Sequence, residues 1–263
     1  MAIINLTPDS FYAASRRATL EDACAAVERA CREGASIVDL GGYSSRPGAA
    51  DVSVEEEWQR VHRGLEAVRR VEAGVVVSID TFRSEIVRRA YEEFGEFIVN
   101  DISAGELDCS MAATVARVGL PYVAMHMRGT PETMQSMKDY EGGVVGDVCD
   151  YLARRSEELQ FAGIARERII LDPGFGFAKS AEQNFELFRG LDAVRELGYP
   201  VLVGVSRKSM IYKTLGISAE EALSGSLALA WEALRGGPAI LRVHDVAATR
   251  QVLELSKHYF QSR

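Results

Sequence analysis

Residues 35–40 (ASIVDL), 53–71 (SVEEEWQRVHRGLEAVRRV) and 75–79 (VVVSI) are the stretch from which the fold can be read. The outer two are short apolar runs rich in β-branched residues, a composition that suits strands covered on both faces. Between them, Trp58, Val61, Leu65 and Val68 recur at 3-4-3 spacing, which is one face of an amphipathic helix. Ser53 followed three residues later by Glu56 is a capping-box start for that helix. Strand, helix and strand in this order make a crossover unit with two parallel strands.

The same alternation runs outward in both directions. Apolar runs at 2–6 (AIINL), 97–100 (FIVN), 121–125 (PYVAM), 168–171 (RIIL), 200–205 (PVLVGV) and 238–243 (PAILRV) bring the strands to eight. Leu20, Cys24, Val27 and Cys31 mark another helix at 4-3-4 spacing, and Ser180 with Gln183 and Ser218 with Glu221 predict two more helix starts. Thr19 with Asp22 is a weaker version of the same box. Eight such units in 263 residues are the count and size of a (β/α)8 TIM barrel. The expectation is α/β class, one domain over residues 1–263; a doubly wound sheet fits less well because no antiparallel edge is apparent. The longest irregular segment, 128–143, follows the fifth strand.

Composition removes several function classes. No apolar run approaches the roughly 20 residues of a membrane-spanning helix, and MAIINLTPDSF lacks the basic start and long apolar stretch of a secretory signal. Cys24, Cys31, Cys109 and Cys149 form no CxxC pair and read as ordinary free thiols of a reducing cytoplasm. A net charge of −8 argues against a general nucleic-acid binder. An anionic ligand would need a few well-placed cations working against that average field.

Polar residues gather at the strand ends: Asn5, Asp39, Asp80, Asn100-Asp101, His126, Asp172, Ser206-Arg207-Lys208 and Arg242-Val243-His244-Asp245. Singly these are cap or turn residues; together they point to one functional rim. Arg207, Lys208, Arg242 and His244 crowd the sector of the seventh and eighth strands, where barrels commonly hold phosphate, with Arg207 the candidate to pair instead with a barrel carboxylate. Opposite them stand Asp80, Asn100 and Asp172, with no basic residue at the ends of strands three, four or six. Buried carboxylates need partners, and the amino-amide edge of a pterin or guanine ring would supply parallel donors. The expected ligand is a nitrogen heterocycle at one end and a phosphate at the other.

In these motifs the chain resembles the dihydropteroate synthase family of pterin-binding enzymes. The matching stretches are NLTPDSF (5–11), GGYSSRPGA (41–49), SIDT (78–81), NDIS (100–103), MHMRGTP (125–131), LDPGFGFAKS (171–180), VGVSRKSM (203–210) and LRVHDV (241–246). The resemblance implies a transferase of folate biosynthesis that joins 6-hydroxymethyl-7,8-dihydropterin diphosphate to p-aminobenzoate and releases pyrophosphate. It implies that Asp80, Asn100, Asp172 and Lys208 bind the pterin, and that Asn5, Ser45, Arg242 and His244 bind the diphosphate. Ser45, Arg46, Pro47, Phe177, Lys208 and Ser209 would form the p-aminobenzoate site. Asp80, Lys208, Arg242 and His244 would be catalytic, with Mg2+ as cofactor and Asn5 as its ligand. Sulfonamide inhibition, a homodimer through the last helices and a cytoplasmic location are further implications. No covalent nucleophile is required.

The chain departs from the family pattern in places. Tyr12-Ala13-Ala14-Ser15 replaces a small, acidic continuation, Tyr43 and Ser45 stand where Glu and Thr are common, and Ala178 replaces a glycine, which calls for a turn that tolerates Cβ. His62 is expected on a solvated face, and Met127, Met134 and Met137 are expected in loop packing. His126 has two readings, an orienting residue or a substrate contact. A corrinoid methyltransferase on a similar barrel would not need the SRKS and RVHD cations. A Schiff-base aldolase would use Lys208 as nucleophile, and a non-catalytic pterin-binding relative would fit the altered first loop.

Overall fold

The structure is a computed structural model, and it describes residues 1–7, 19–43 and 52–260. Eight parallel strands appear in the order expected: β1 (Ala2–Asn5), β2 (Ile37–Gly41), β3 (Val76–Asp80), β4 (Ile98–Asp101), β5 (Tyr122–Met125), β6 (Ile169–Asp172), β7 (Leu202–Val203) and β8 (Ile240–Leu241). β1 to β6 form a continuous ladder, and β7 pairs with β8. Two parallel bridges, Leu171 with Val201 and Ala2 with Val243, join the two sheets into a closed (β/α)8 barrel. Backbone bonds from Ile3 N–H to Val243 (3.0 Å) and from Val243 N–H to Met1 (2.9 Å) complete the last seam.

Ten α-helices pack outside among the described residues: α1 (Leu20–Arg32), α2 (Val54–Arg70), α3 (Ser84–Phe94), α4 (Met111–Val118), α5 (Val144–Phe161), α6 (Ala181–Arg189), α7 (Leu191–Glu196), α8 (Ser209–Leu215), α9 (Leu223–Arg235) and α10 (Val246–Phe260). Thr19 forms the complete reciprocal capping box with Asp22, as Ser180 does with Gln183, so the weaker motif works as well as the stronger one. At Ser53 only the side-chain half forms. Ser218 starts no helix: Glu221 accepts from its N–H at 3.0 Å, but the following residues form a turn and α9 begins at Leu223.

Strand alternation divides the core in two. Outward residues such as Val38, Leu40, Ile79, Val99 and Leu171 pack beneath the helices. Inward residues Ile98, Val123, Ile170 and Leu202, with Ile37 and Ile240, make a separate apolar plug at the bottom of the barrel. Further up the same inward rows the residues become Asp39, Ser78, Asp80, Asn100, Asp172 and Arg242. The upper layer of the barrel interior therefore forms the base of the functional rim, with Asp39, Ser78, Asp80, Asn100 and Asp172 on strands and Arg242 directly after β8. The segment after β5 is anchored. Met127 and Met134 are buried beside Ile102 and Met125, while Arg128 bonds Asp147 and lies over the Tyr140 ring. Met137 is exposed.

Candidate active site

Register places the first rim residues in one row: Asn5 pairs with Gly41, Gly41 with Asp80, and Asp80 with Asn100. At the centre sits Asp39, wholly buried. Its Oδ1 accepts from Ser78 Oγ at 2.6 Å. Its Oδ2 accepts from Asn100 Nδ2 at 3.1 Å and Arg242 Nε at 2.7 Å. Arg242 Nη2 also donates to Asp80 Oδ2 at 2.7 Å. One guanidinium thus serves two carboxylates. Burial raises the proton affinity of Asp80, the nearby Asp39 adds to this, and Arg242 opposes it.

The strand-end carboxylates consequently have partners, which corrects the expectation from the sequence. No basic residue stands at the ends of β3, β4 or β6, but barrel closure brings Arg242 across from β8. Asp172 Oδ1 accepts from the Gly174 N–H at 2.8 Å; burial raises its pKa, and the charge of Lys208 opposes this. Lys208, the N-cap residue of α8, donates to the Phe175 carbonyl and lies 4.9 Å from the Phe177 ring centre. Burial brings its ammonium down to about 8, against the pull of Asp172.

The cation cluster expected from SRKS and RVHD is divided. Arg207 makes a two-pronged pair with Asp245, both bonds 2.8 Å, so it braces the β7 and β8 loops and does not reach a barrel carboxylate. Arg242 takes that barrel-pairing place. His244 lies on the rim near Ser206, with its ring Nδ1 3.2 Å from the hydroxyl. Ser209 opens α8 and Phe177 borders the Met127 cluster. Ser45, Arg46, Pro47 and Tyr12 to Ser15 lie outside the described residues.

Other expectations change in detail. Asp101 faces outward, where Tyr122, Ser103 and Gly105 satisfy its carboxylate, so it braces the strand. His62 is half-buried between Trp58 and Phe94 and bonds Glu93 at 2.9 Å. Ala178 adopts φ +50°, so its turn uses the left-handed conformation despite the Cβ. The Tyr43 ring meets Phe82 edge-on at 5.1 Å. Sequence reading noted Asp39 and gave it no role; strict inward alternation with Gly41, Ser78 and Asp80 was the signal that marked it.

The profile of the pterin binding enzyme family matches residues 1–244. The dihydropteroate synthase of Haemophilus influenzae is 42% identical over 255 residues, covering 97% of this chain and 91% of that protein. That of Synechocystis is 40% identical over 257 residues, covering 97% and 88%. This chain belongs to the dihydropteroate synthase family of pterin-binding enzymes. Among solved members of the family, the Yersinia pestis enzyme in a sulfonamide drug complex superposes with TM-score 0.92 at 34% identity, covering 100% of this chain and 94% of that one. The Xanthomonas albilineans enzyme with 4-aminobenzoic acid gives 0.88 at 38%, covering 98% and 92%.

Proposed function

We propose that this chain condenses 6-hydroxymethyl-7,8-dihydropterin diphosphate with p-aminobenzoate to give 7,8-dihydropteroate and pyrophosphate. The observation that carries the reading is the convergence of Asp80, Asn100 and Asp172 with Arg242 and Lys208 on one inward layer. Asp80, Asn100, Asp172 and Lys208 are assigned to the pterin, the carboxylates accepting from its amino-amide edge. Asn5, Ser45, Arg242 and His244 are assigned to the diphosphate. Arg242 commits Nε and Nη2 to the two aspartates, and its Nη1 edge is assigned to the leaving group. Ser45, Arg46, Pro47, Phe177, Lys208 and Ser209 are assigned to p-aminobenzoate; the apolar Phe177 surroundings suit an aromatic ring.

Departure of diphosphate leaves positive charge on a methylene conjugated to the pterin. Asp39, Asp80 and Asp172 line this layer beside Arg242 and Lys208, and their carboxyl oxygens are placed to favour that charge. Preorganised groups of this kind are worth about 3–4 kcal/mol each. A cation is a strong electrophile, so the aniline nitrogen needs no strong base, and Lys208 acts here by charge and not as a covalent nucleophile.

Among the described residues no cluster of three or more His, Cys, Asp or Glu could hold a metal on its own. The Asn5 amide oxygen, which flanks Gly41 beside Asp80, is a hard donor. It suits Mg2+ carried largely by phosphate oxygens and water, which would neutralise the leaving diphosphate. A homodimer through the last helices is supported by Leu255 and Tyr259, both exposed on α10, and by the contact of Tyr259 with Trp231 on α9. All four cysteines are free, which suits a cytoplasmic setting.

The test is steady pyrophosphate release when both substrates and Mg2+ are mixed with the protein. Arg242→Ala should abolish most of it, and Asp172→Asn should weaken pterin binding more than p-aminobenzoate binding. Pterin binding with no pyrophosphate release would overturn the assignment.

A further inference from the structure

Lys179 carries an amino group that the proposed chemistry does not use; it is nearly sealed from solvent, and burial, with Lys208 and Arg128 nearby, holds its pKa well below the usual lysine range against the pull of Asp172. Its Nζ donates to the Gly174 carbonyl at 3.0 Å and the Phe177 carbonyl at 3.0 Å, and lies 2.9 Å from Nδ1 of His126. The His126 ring is also buried, with its Nδ1 turned to the Lys179 Nζ. Burial, with Lys179 and Arg128 nearby, pushes His126 down to about 2.

The turn that Lys179 grips has an unfavourable backbone. Gly174 and Ala178 both adopt positive φ, +71° and +50°, and an alanine gains nothing locally in that region. A Cβ at Gly174 would collide with the His126 carbonyl, so the turn is pressed against the end of β5. Such conformations persist where surrounding structure over-determines them. The same turn faces the barrel mouth. Its Gly174 N–H holds Asp172, its Phe175 carbonyl receives Lys208, and its Phe177 ring lies 4.9 Å from the Lys208 Nζ.

We propose that Lys179, supported by a neutral His126, is a positioning residue: it ties the carbonyls at both ends of the 174–177 turn and thereby sets where Phe175 and Phe177 stand relative to Lys208. The catalytic consequence rests on the assignment of Phe177 and Lys208 to p-aminobenzoate above. Lys179 itself touches no substrate.

Lys179→Met keeps the length of the side chain and removes the bonds to both carbonyls and to His126. The KM for p-aminobenzoate should rise about tenfold or more, and by several-fold more than the Kd for the pterin diphosphate alone, because the turn reaches the pterin site only through Asp172 and Lys208 while Asp80 and Asn100 stand on other strands. His126→Asn, whose Oδ1 offers an acceptor in place of Nδ1, should retain the wild-type KM; His126→Leu should behave like Lys179→Met. A second readout needs no substrate. The Phe177 N–H donates to the Gly174 carbonyl at 3.1 Å, and its hydrogen exchange should accelerate about tenfold or more in Lys179→Met and in His126→Leu, but not in His126→Asn. Unchanged exchange in Lys179→Met, equal behaviour of the two His126 variants, or equal loss of both substrates would overturn the proposal. Should Lys179→Met fail to fold, the His126 pair decides. If wild-type protein neither binds p-aminobenzoate nor releases pyrophosphate, the functional assignment falls, and the exchange measurement still judges the clamp.

Discussion

Replacing Asp39 by Asn tests the electrostatic centre of the site with almost no change of shape. Asp39 Oδ2 accepts from Arg242 Nε at 2.7 Å and lies 2.6 Å from Nη2. Hydrogen bonds to charged groups contribute about 1.5–3 kcal/mol. Arg242 would keep Asp80 at 2.7 Å, so the loss should fall short of the roughly 3–5 kcal/mol of a buried charge left without any counterion. We expect about 2 kcal/mol, equivalent to a fall of about 30-fold in kcat/KM, with a comparable loss in urea denaturation. Continuous pyrophosphate release at saturating Mg2+ gives the first number. The pH profile gives a second signature. The Asp39 charge helps to hold the Asp80 proton, so the variant should ionise Asp80 at lower pH and shift the acid limb of pterin binding downward. Wild-type kcat/KM together with an unmoved or upward-shifted acid limb would refute the view that Asp39 organises this layer.

Lys208 should impose an alkaline limb on kcat/KM with a midpoint near 8, since activity needs the ammonium and burial brings its pKa down to that value. Lys208→Arg should lower the maximum and remove the limb, because a guanidinium stays protonated throughout; a limb persisting near 8 would assign it to another group. His126, pushed down to about 2, refuses in the folded state a proton that the unfolded chain takes up below about 6.5. Its contribution to stability is therefore lost as pH falls below about 6.5, at up to about 1.4 kcal/mol per pH unit. His126→Asn should flatten the dependence of folding free energy on pH between about 6 and 4 by up to that slope, and parallel curves for the two proteins would contradict the assignment.

The barrel was legible because eight β-branched runs alternate with helical patterns, and local physics fixes both. Asp39 with Gly41 and Ser78 with Asp80 show how far that legibility reaches: their spacing by two assigns them to one face, but not to one another. Pairing depends on closure, which brings Arg242 of the last strand to residues some 160 and 200 positions earlier. Nothing local to Arg242 records that neighbour, so it was read as a free cation. Asp101 was misjudged for the opposite reason: adjacency to Asn100 suggested a shared role, although successive strand residues face opposite ways. The Ser218 motif shows that a cap needs helical residues after it. The Ala178 turn was hidden because its conformation is held by Lys179, one residue along the chain, through carbonyls that sequence does not display.

The isoleucine, valine and leucine plug beneath the polar layer makes the barrel a cul-de-sac. Every molecule must come and go by one doorway. On the assignment proposed above, the ring seated against Asp80, Asn100 and Asp172 should arrive before the molecule that sits nearer the mouth. Traffic order would then follow from the shape of the vessel.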